Sequence, residues 1–337
     1  MVKVGKYSIS FDNVYLLDSR TVSGPLEYEG PLGKYIDKTY KDNHCGESTW
    51  EKAEMLMLEE CINELKSANI NNKIELAILG DLNNQITASN FVMRNFDIPF
   101  FGIYSACSTF TESIILGSMF IDSLEFNNII IGASSHNSCS ERQFRSPTEY
   151  GGQKKITSTY TVTGAGIGLL SNNKSRIRIT RSTMGVVYDA KIKDPSDLGT
   201  AMAPAAALTL INHLNDYKIS SSEYDLILTG DLSSYGSDVF RKIVTRHGID
   251  IRNNYNDCGL LIYDVHSQDV QAGGSGAAAS ALVTLGYIRN LLENGTLKKV
   301  LIIATGALFN PIMTLQKESI PCIAHAIVME GVKWIMC

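Results

Sequence analysis

The 337-residue sequence predicts an α/β protein made of two similar halves, with mostly parallel strands buried on both faces. Three observations carry that reading. Short apolar runs alternate with amphipathic stretches of helical length, the pattern of βαβ units. The tripeptide GDL closes an apolar run twice, in IELAILGDL (Ile74 to Leu82) and YDLILTGDL (Tyr224 to Leu232). Both times a small-residue turn, a helix and a further apolar run led by NN or KK follow in the same order, which reads as an internal duplication. The connection after the second GDL is the longer one. The halves are expected to span 1–185 and 186–337.

The elements follow in order. MVKVGKYSISFDNVYLLDSR alternates as strands do and lacks the apolar stretch and cleavage site of a signal peptide. STWEKAEMLMLEECINELKSAN opens on a Ser/Thr cap with a glutamate in its first turn, a helix start. After the first GDL strand, IPFFGIYSACSTFTESIILGSMFIDSLEF (Ile98 to Phe126) runs from a strand into an amphipathic helix with Cys107 at its mouth. NNIIIGASS (Asn127 to Ser135) is the next strand. Ser135 to Lys155 is then a polar excursion, longer than an ordinary βα connection. TVTGAGIGLLSNN (Thr161 to Asn173) spaces its glycines GxGxG, not GxGxxG, and SRIRITRSTMG after it reads as a strand. A Gly-rich strand that another backbone approaches is expected there, and no phosphate loop. DPSDLGTAMAPAAALTLINHLNDYK is a helix ahead of the second GDL strand. Ala272 to Gly295 and Lys298 to Leu308 supply the last repeated helix and strand.

Composition excludes several functions. Apolar residues make up 44% of the chain, ample for a large core, and the net charge of −5 argues against nucleic acid, which needs clustered basic groups. Seven cysteines without a CxxC pair suggest neither a disulfide framework nor a zinc knuckle. His136 and Cys139 have loose metal-ligand spacing but read better as loop residues. No metal and no cofactor is therefore expected. No apolar run approaches the ~18 residues of a membrane span, so the chain is expected to be soluble and made in the cytosol.

Two turns carry the candidate chemistry. A thiol at a helix N-terminus feels the positive end of the dipole and loses its proton readily, which makes Cys107 a candidate nucleophile. The turn Gly274, Ser275, Gly276 opens an alanine-rich helix. Its backbone N–H groups suit an anion, and its small residues equally suit close packing against Cys107 and Ser108. A duplicated plan would set the two turns in comparable positions about a pseudo-dyad. Arg142, Arg145, Lys154 and Lys155 lie in the polar excursion, where an arginine fork could hold a carboxylate.

The duplicated plan with a cysteine on the first-half turn resembles the thiolase fold. A closer resemblance, to the stage V sporulation protein AD family, rests on SACSTFTES, GASSHNSCSERQFRSPTEYGGQK, YTVTGAG, KDPSDLGTAMAPAAA, DLILTGDL, DVQAGGSGAAASA, ATGALFNP and ESIPCIAHAIVMEG. It implies an α/β thiolase-like fold layered α-β-α-β-α. It also implies a protein that binds dipicolinic acid, with or without calcium, for uptake into the developing spore. Thiolases carry a histidine in a Gly-His-Pro turn of the second half and a cysteine after the last strand. Here Asp269 to Gly276 holds no histidine, and Ala304 and Thr305 stand where a Cys-x-Gly turn is expected. The proton-transfer groups look absent. His136 and His325 keep an enzyme reading alive, a condensing or acyl-transfer enzyme using Cys107. The ligand site expected from the resemblance comprises Ser105, Cys107, Ser108, His136, Asn137, Arg145, Gly274, Ser275, Gly276, Thr305, Gly306 and His325. Other stage V sporulation A-type membrane proteins are the implied partners, at the inner spore membrane, and a homodimer is common in this fold.

Overall fold

The computed structural model describes residues 1–144 and 153–332. Its main sheet is a palindrome. The path runs Tyr255–Asp257, Leu226–Thr229, Lys299–Ala307, Cys322–Gly331, Ile177–Thr183, Tyr15–Ser23, Gly164–Ser171, Asn128–Ser135, Leu76–Gly80, Phe100–Gly102. From either edge inward, the pairings are parallel, parallel, antiparallel, antiparallel. The halves meet where Ile177 and Arg178 pair antiparallel with Leu16 and Tyr15. The duplication read from GDL is thus the organising symmetry, and it extends to strands that the repeat did not flag.

The sheet is mixed, not mostly parallel. Parallel neighbours need a full crossover helix. Between Asn128–Ser135 and Gly164–Ser171 the described helix is only Asn137–Phe144, and between Lys299–Ala307 and Cys322–Gly331 it is only Pro311–Leu315. In both places the strand returns antiparallel beside its predecessor.

Alternation along the buried strands divides the core. Ile129 and Ile131 enter a central cluster, whereas Ile130 points to an outer one; Val300 and Ile302 likewise face the centre, and Leu301 and Ile303 the other outer layer. The central layer holds Thr109–Leu124 and the helical run 277–293, both between the half-sheets. Trp50–Ala68 covers one outer face and Leu198–Tyr217 the other, which completes α-β-α-β-α. Local sequence fits each cover. Thr49 caps the first by accepting from Lys52 N, and Ala53, Met57, Leu58, Cys61, Ile62 and Leu65 form its buried stripe. On the inner face, Gly166 lets the Gly-rich strand approach the central helical run closely: a Cβ there would lie 2.8 Å from the Ala281 Cβ.

Two further expectations are corrected. The polar excursion begins as a helix, Asn137–Phe144, and not as a loop. Its first N–H groups find partners at once, Asn137 N on Thr163 Oγ1 and Ser138 N on His136 Nδ1. The 272–295 stretch is not one regular helix: Ala277–Leu282 passes through a π-helical turn, Val283–Ile288, into Arg289–Glu293.

Candidate functional site

Cys107 stands on a sharp elbow between strand Phe100–Gly102 and helix Thr109–Leu124. Ala106 holds φ at 49°, a left-handed conformation that is unfavourable for a residue with a Cβ. Local hydrogen bonds over-determine the turn. Ser105 N donates to Thr109 Oγ1 at 3.0 Å, Ser108 N to Ser105 O at 3.1 Å, and Ser108 Oγ to Ser105 O at 2.6 Å. Strain of this kind persists only where the surroundings fix it, and here it aims one side chain, the Cys107 thiol.

The second half closes over this elbow. Gly306 packs so tightly on it that a Cβ would sit 2.3 Å from Ser105 O. Its neighbour Thr305 donates through Oγ1 to Asp231 Oδ1 at 2.5 Å. From the small-residue turn, Ser275 Oγ and Gly276 N donate to Asp231 Oδ2 at 3.1 and 3.0 Å. The Cys107 thiol is a further hydrogen-bond partner of the same carboxylate. Asp231, the aspartate of the second GDL, therefore ties together Cys107, Ser275, Gly276 and Thr305. It is the functional residue that sequence reasoning missed, because GDL was read only as the signature of a repeat.

Burial pushes the Asp231 carboxyl above the usual carboxylate range, and the donors from Thr305, Cys107, Gly276 and Ser275 offset this only in part. Behind it Asp257 is raised to about 6, by burial first and by the Asp231 charge after. Asp257 accepts from Thr229 Oγ1, Leu232 N and Ser233 N. Donors on both oxygens of Asp231 favour its ionised form. Two like unit charges 4 Å apart repel by about 4 kcal/mol at an effective dielectric of 20. A helix N-terminus stabilises a negative charge by only about 0.3–2 kcal/mol. An ionised Asp231 beside the thiol opposes loss of its proton, while the helix N-terminus favours that loss.

A pocket with about 520 Å³ of empty space, partly open to solvent, begins at Cys107 and Ser275. Tyr104, Phe144, Phe309 and Met202 form much of its wall, and among the described residues no charged side chain lines it. Phe144 and Phe309 meet edge to face with centroids 6.1 Å apart.

The other expected site residues divide between the closure and its surroundings. Ser105, Ser108, Thr305 and Gly306 form the closure itself. Gly274 packs against Ile262 and Tyr263, and its carbonyl accepts from Ser233 Oγ. His136 is buried with its Nε2 2.7 Å from Asn43 O, and its Nδ1 accepts from Ser138 N; burial lowers its pKa to about 4. Asn137 opens the short helix beside it. His325 faces Ala304 across the sheet and accepts from Gly185 N through Nδ1; burial lowers its pKa to about 4 as well. Burial thus keeps both rings neutral, and they lie outside the residues that line the pocket. Arg145 lies outside the described residues. Arg142 pairs with Glu51, Lys154 with Glu141 and Lys155 with Asp194.

A duplicated α-β-α-β-α sandwich, with a cysteine elbow at the head of a central helix and small-residue turns closing on it, defines a thiolase-like protein. Solved structures share that fold. A variant of Xanthomonas campestris OleA superposes with a TM-score of 0.58 at 15% identity, over 95% of this chain and 99% of that one. The 3-oxoacyl-[acyl-carrier-protein] synthase III of Aquifex aeolicus VF5 gives 0.54 at 14% identity, over 97% and 100%. Within that fold the chain belongs to the stage V sporulation protein AD family, whose model matches residues 5–330. Stage V sporulation protein AD of Bacillus subtilis (strain 168) is 44% identical over 333 residues, 98% of each chain.

Proposed function

We propose that this sporulation protein binds dipicolinic acid without transforming it and serves its uptake into the developing spore. The observation that carries this reading is the Cys107 elbow, which opens into an uncharged, aromatic-walled pocket while its thiol faces a carboxylate and not a histidine. A flat pyridine ring suits such walls. Because Asp231 stands behind the elbow, a free dianion would meet repulsion. The one-to-one calcium chelate carries no net charge and suits the lining better. Its partners in this proposal are other stage V sporulation A-type membrane proteins at the inner spore membrane; no helix among the described residues is long and apolar enough to cross a membrane. A homodimer belongs to the same proposal, since strand Phe100–Gly102 ends the sheet with Phe101 and Tyr104 exposed.

Calorimetric titration with dipicolinate, with and without calcium, tests this reading beside an assay of coenzyme A release from acetyl-coenzyme A. Saturable binding without release is expected. One observation favours the second reading, an acyl-transfer or condensing enzyme: Cys107 keeps the strained placement of a nucleophile. Steady release that disappears in Cys107→Ala would establish it.

A further inference from the structure

We propose that Asp231 is a lock on Cys107: it holds the thiol in its protonated, unreactive form, so that the elbow keeps a nucleophile's shape without its reactivity. The inference deepens the reading of a binding site without chemistry and rests on it.

Placement supports the lock independently of titration. Asp231 is held by three donors from two segments, Thr305 Oγ1 from one and Ser275 Oγ and Gly276 N from the other, and its own strand end is fixed by Leu232 N on Asp257. Gly306, one residue after Thr305, bears on Ser105 and Ser108 on either side of Cys107. The carboxylate therefore cannot swing away from the thiol without breaking the closure between halves. Donors already engage both of its oxygens, which leaves it little free lone-pair capacity for a further proton.

The charges around the pair act in the same direction. Asp257 stands behind Asp231 and adds negative potential. Cys258 and Cys322 also sense the Asp231 charge and are raised by their own burial. Among the described residues lining the pocket, no lysine, arginine or histidine opposes them.

The test is the pH profile of iodoacetamide alkylation at Cys107, followed by mass spectrometry on the full chain. In the wild type, half-maximal labelling should fall at or above the pH found for N-acetylcysteine measured alongside, despite the helix N-terminus. Asp231→Asn removes the charge and keeps the side-chain size; its profile should shift at least one pH unit lower. Labelling at pH 7 should then be about tenfold faster or more. A purely structural role for Asp231 would loosen the fold without moving the profile midpoint. Slower labelling or an unmoved midpoint in a folded Asp231→Asn overturns the lock. If that variant does not fold, the wild type decides, because a midpoint below that of N-acetylcysteine also overturns it. Dipicolinate titration of the same preparations is a separate readout: its failure removes the ligand while leaving a shifted profile, and so the lock, intact.

Discussion

Asp81 and Asp231 end equivalent strands in the two halves, yet they face different partners. Asp81 accepts from Ser89 N, Ser89 Oγ and Asn83 N, all within its own half, and lies beside the buried Glu54. Asp231 turns to the centre and takes its donors from Thr305, Ser275 and Gly276. The local role, binding the N–H groups that follow the strand, passes in the second half to Asp257. One aspartate of a duplicated pair has been freed to serve the interface between halves.

Removing that aspartate should cost more than removing its counterpart. Asp231→Ala strands three buried donors at about 1–3 kcal/mol each, offset in part by relief of a buried charge. A net loss on the order of 2–4 kcal/mol is expected from urea unfolding. Asp81→Ala also relieves the Glu54 carboxyl, which burial and the Asp81 charge raise to about 8, so its loss should be smaller.

Stability should fall between pH 4.5 and 7 on account of Glu27. This carboxyl is fully buried and accepts from Thr163 N and Tyr263 Oη, and its Oε2 has no hydrogen-bond partner. Burial raises it to about 7 from an ordinary 4.5. The unfolded chain releases the proton first, so the folded state is favoured below pH 4.5 and loses ground up to about pH 7, by on the order of 3 kcal/mol. Glu27→Gln should remove the Glu27 share of this slope, while Glu54 and Asp257 keep theirs, and leave the protein at least as stable as the wild type at pH 8. The neutral histidines act oppositely below pH 6.5, so the comparison is made between the two proteins at each pH. A slope as steep in Glu27→Gln as in the wild type would assign all of it to other raised carboxyls such as Glu54 and Asp257.

Much of the architecture was legible because burial writes itself into strands as continuous apolar runs and into covering helices as stripes. IELAILGDL and YDLILTGDL gave the duplication, and the Cys107 and Gly274–Gly276 turns did come to face one another through Asp231. The antiparallel centre was not legible, since strand direction depends on whether a connection holds a crossover helix. Asp231 was missed for a related reason. An acid at the end of an apolar run signals a buried carboxylate that needs donors, but Thr305 and Ser275 are far away in sequence. His136 and His325 looked like bases because sequence does not reveal that backbone groups already engage their nitrogens.

Backbone contact at the closure gives a sharper test of geometry. A Cβ on Gly306 would meet Ser105 O at 2.3 Å and Ser108 N at 3.2 Å, both on the rigid elbow. The atoms nearest a Cβ on Gly274 would be side-chain ones, Ile262 Cγ2 at 2.9 Å and Tyr263 Cδ2 at 3.1 Å, farther off than the Ser105 carbonyl is from Gly306. Gly306→Ala should therefore lower stability by about 2 kcal/mol or more, as overpacking does, and Gly274→Ala by less. Equal melting temperatures for the two variants would contradict this account of the closure.

The pocket itself is tested by changing the size of Cys107 rather than its chemistry. Cys107→Ser keeps the elbow and offers Asp231 a hydroxyl in place of the thiol, so dipicolinate affinity should fall no more than about threefold, under 1 kcal/mol. Cys107→Trp projects an indole into the space between Tyr104, Phe309 and Ser275 and should abolish binding while the fold survives, checked by circular dichroism. The contrast separates shape from reactivity, because both variants lack the thiol and only one fills the pocket. Arg145→Ala extends the test to the adjoining segment: a charge-assisted bond is worth about 1.5–3 kcal/mol, so a tenfold loss is expected if that guanidinium reaches the carboxylates. Normal binding by Cys107→Trp would place the ligand elsewhere on the protein.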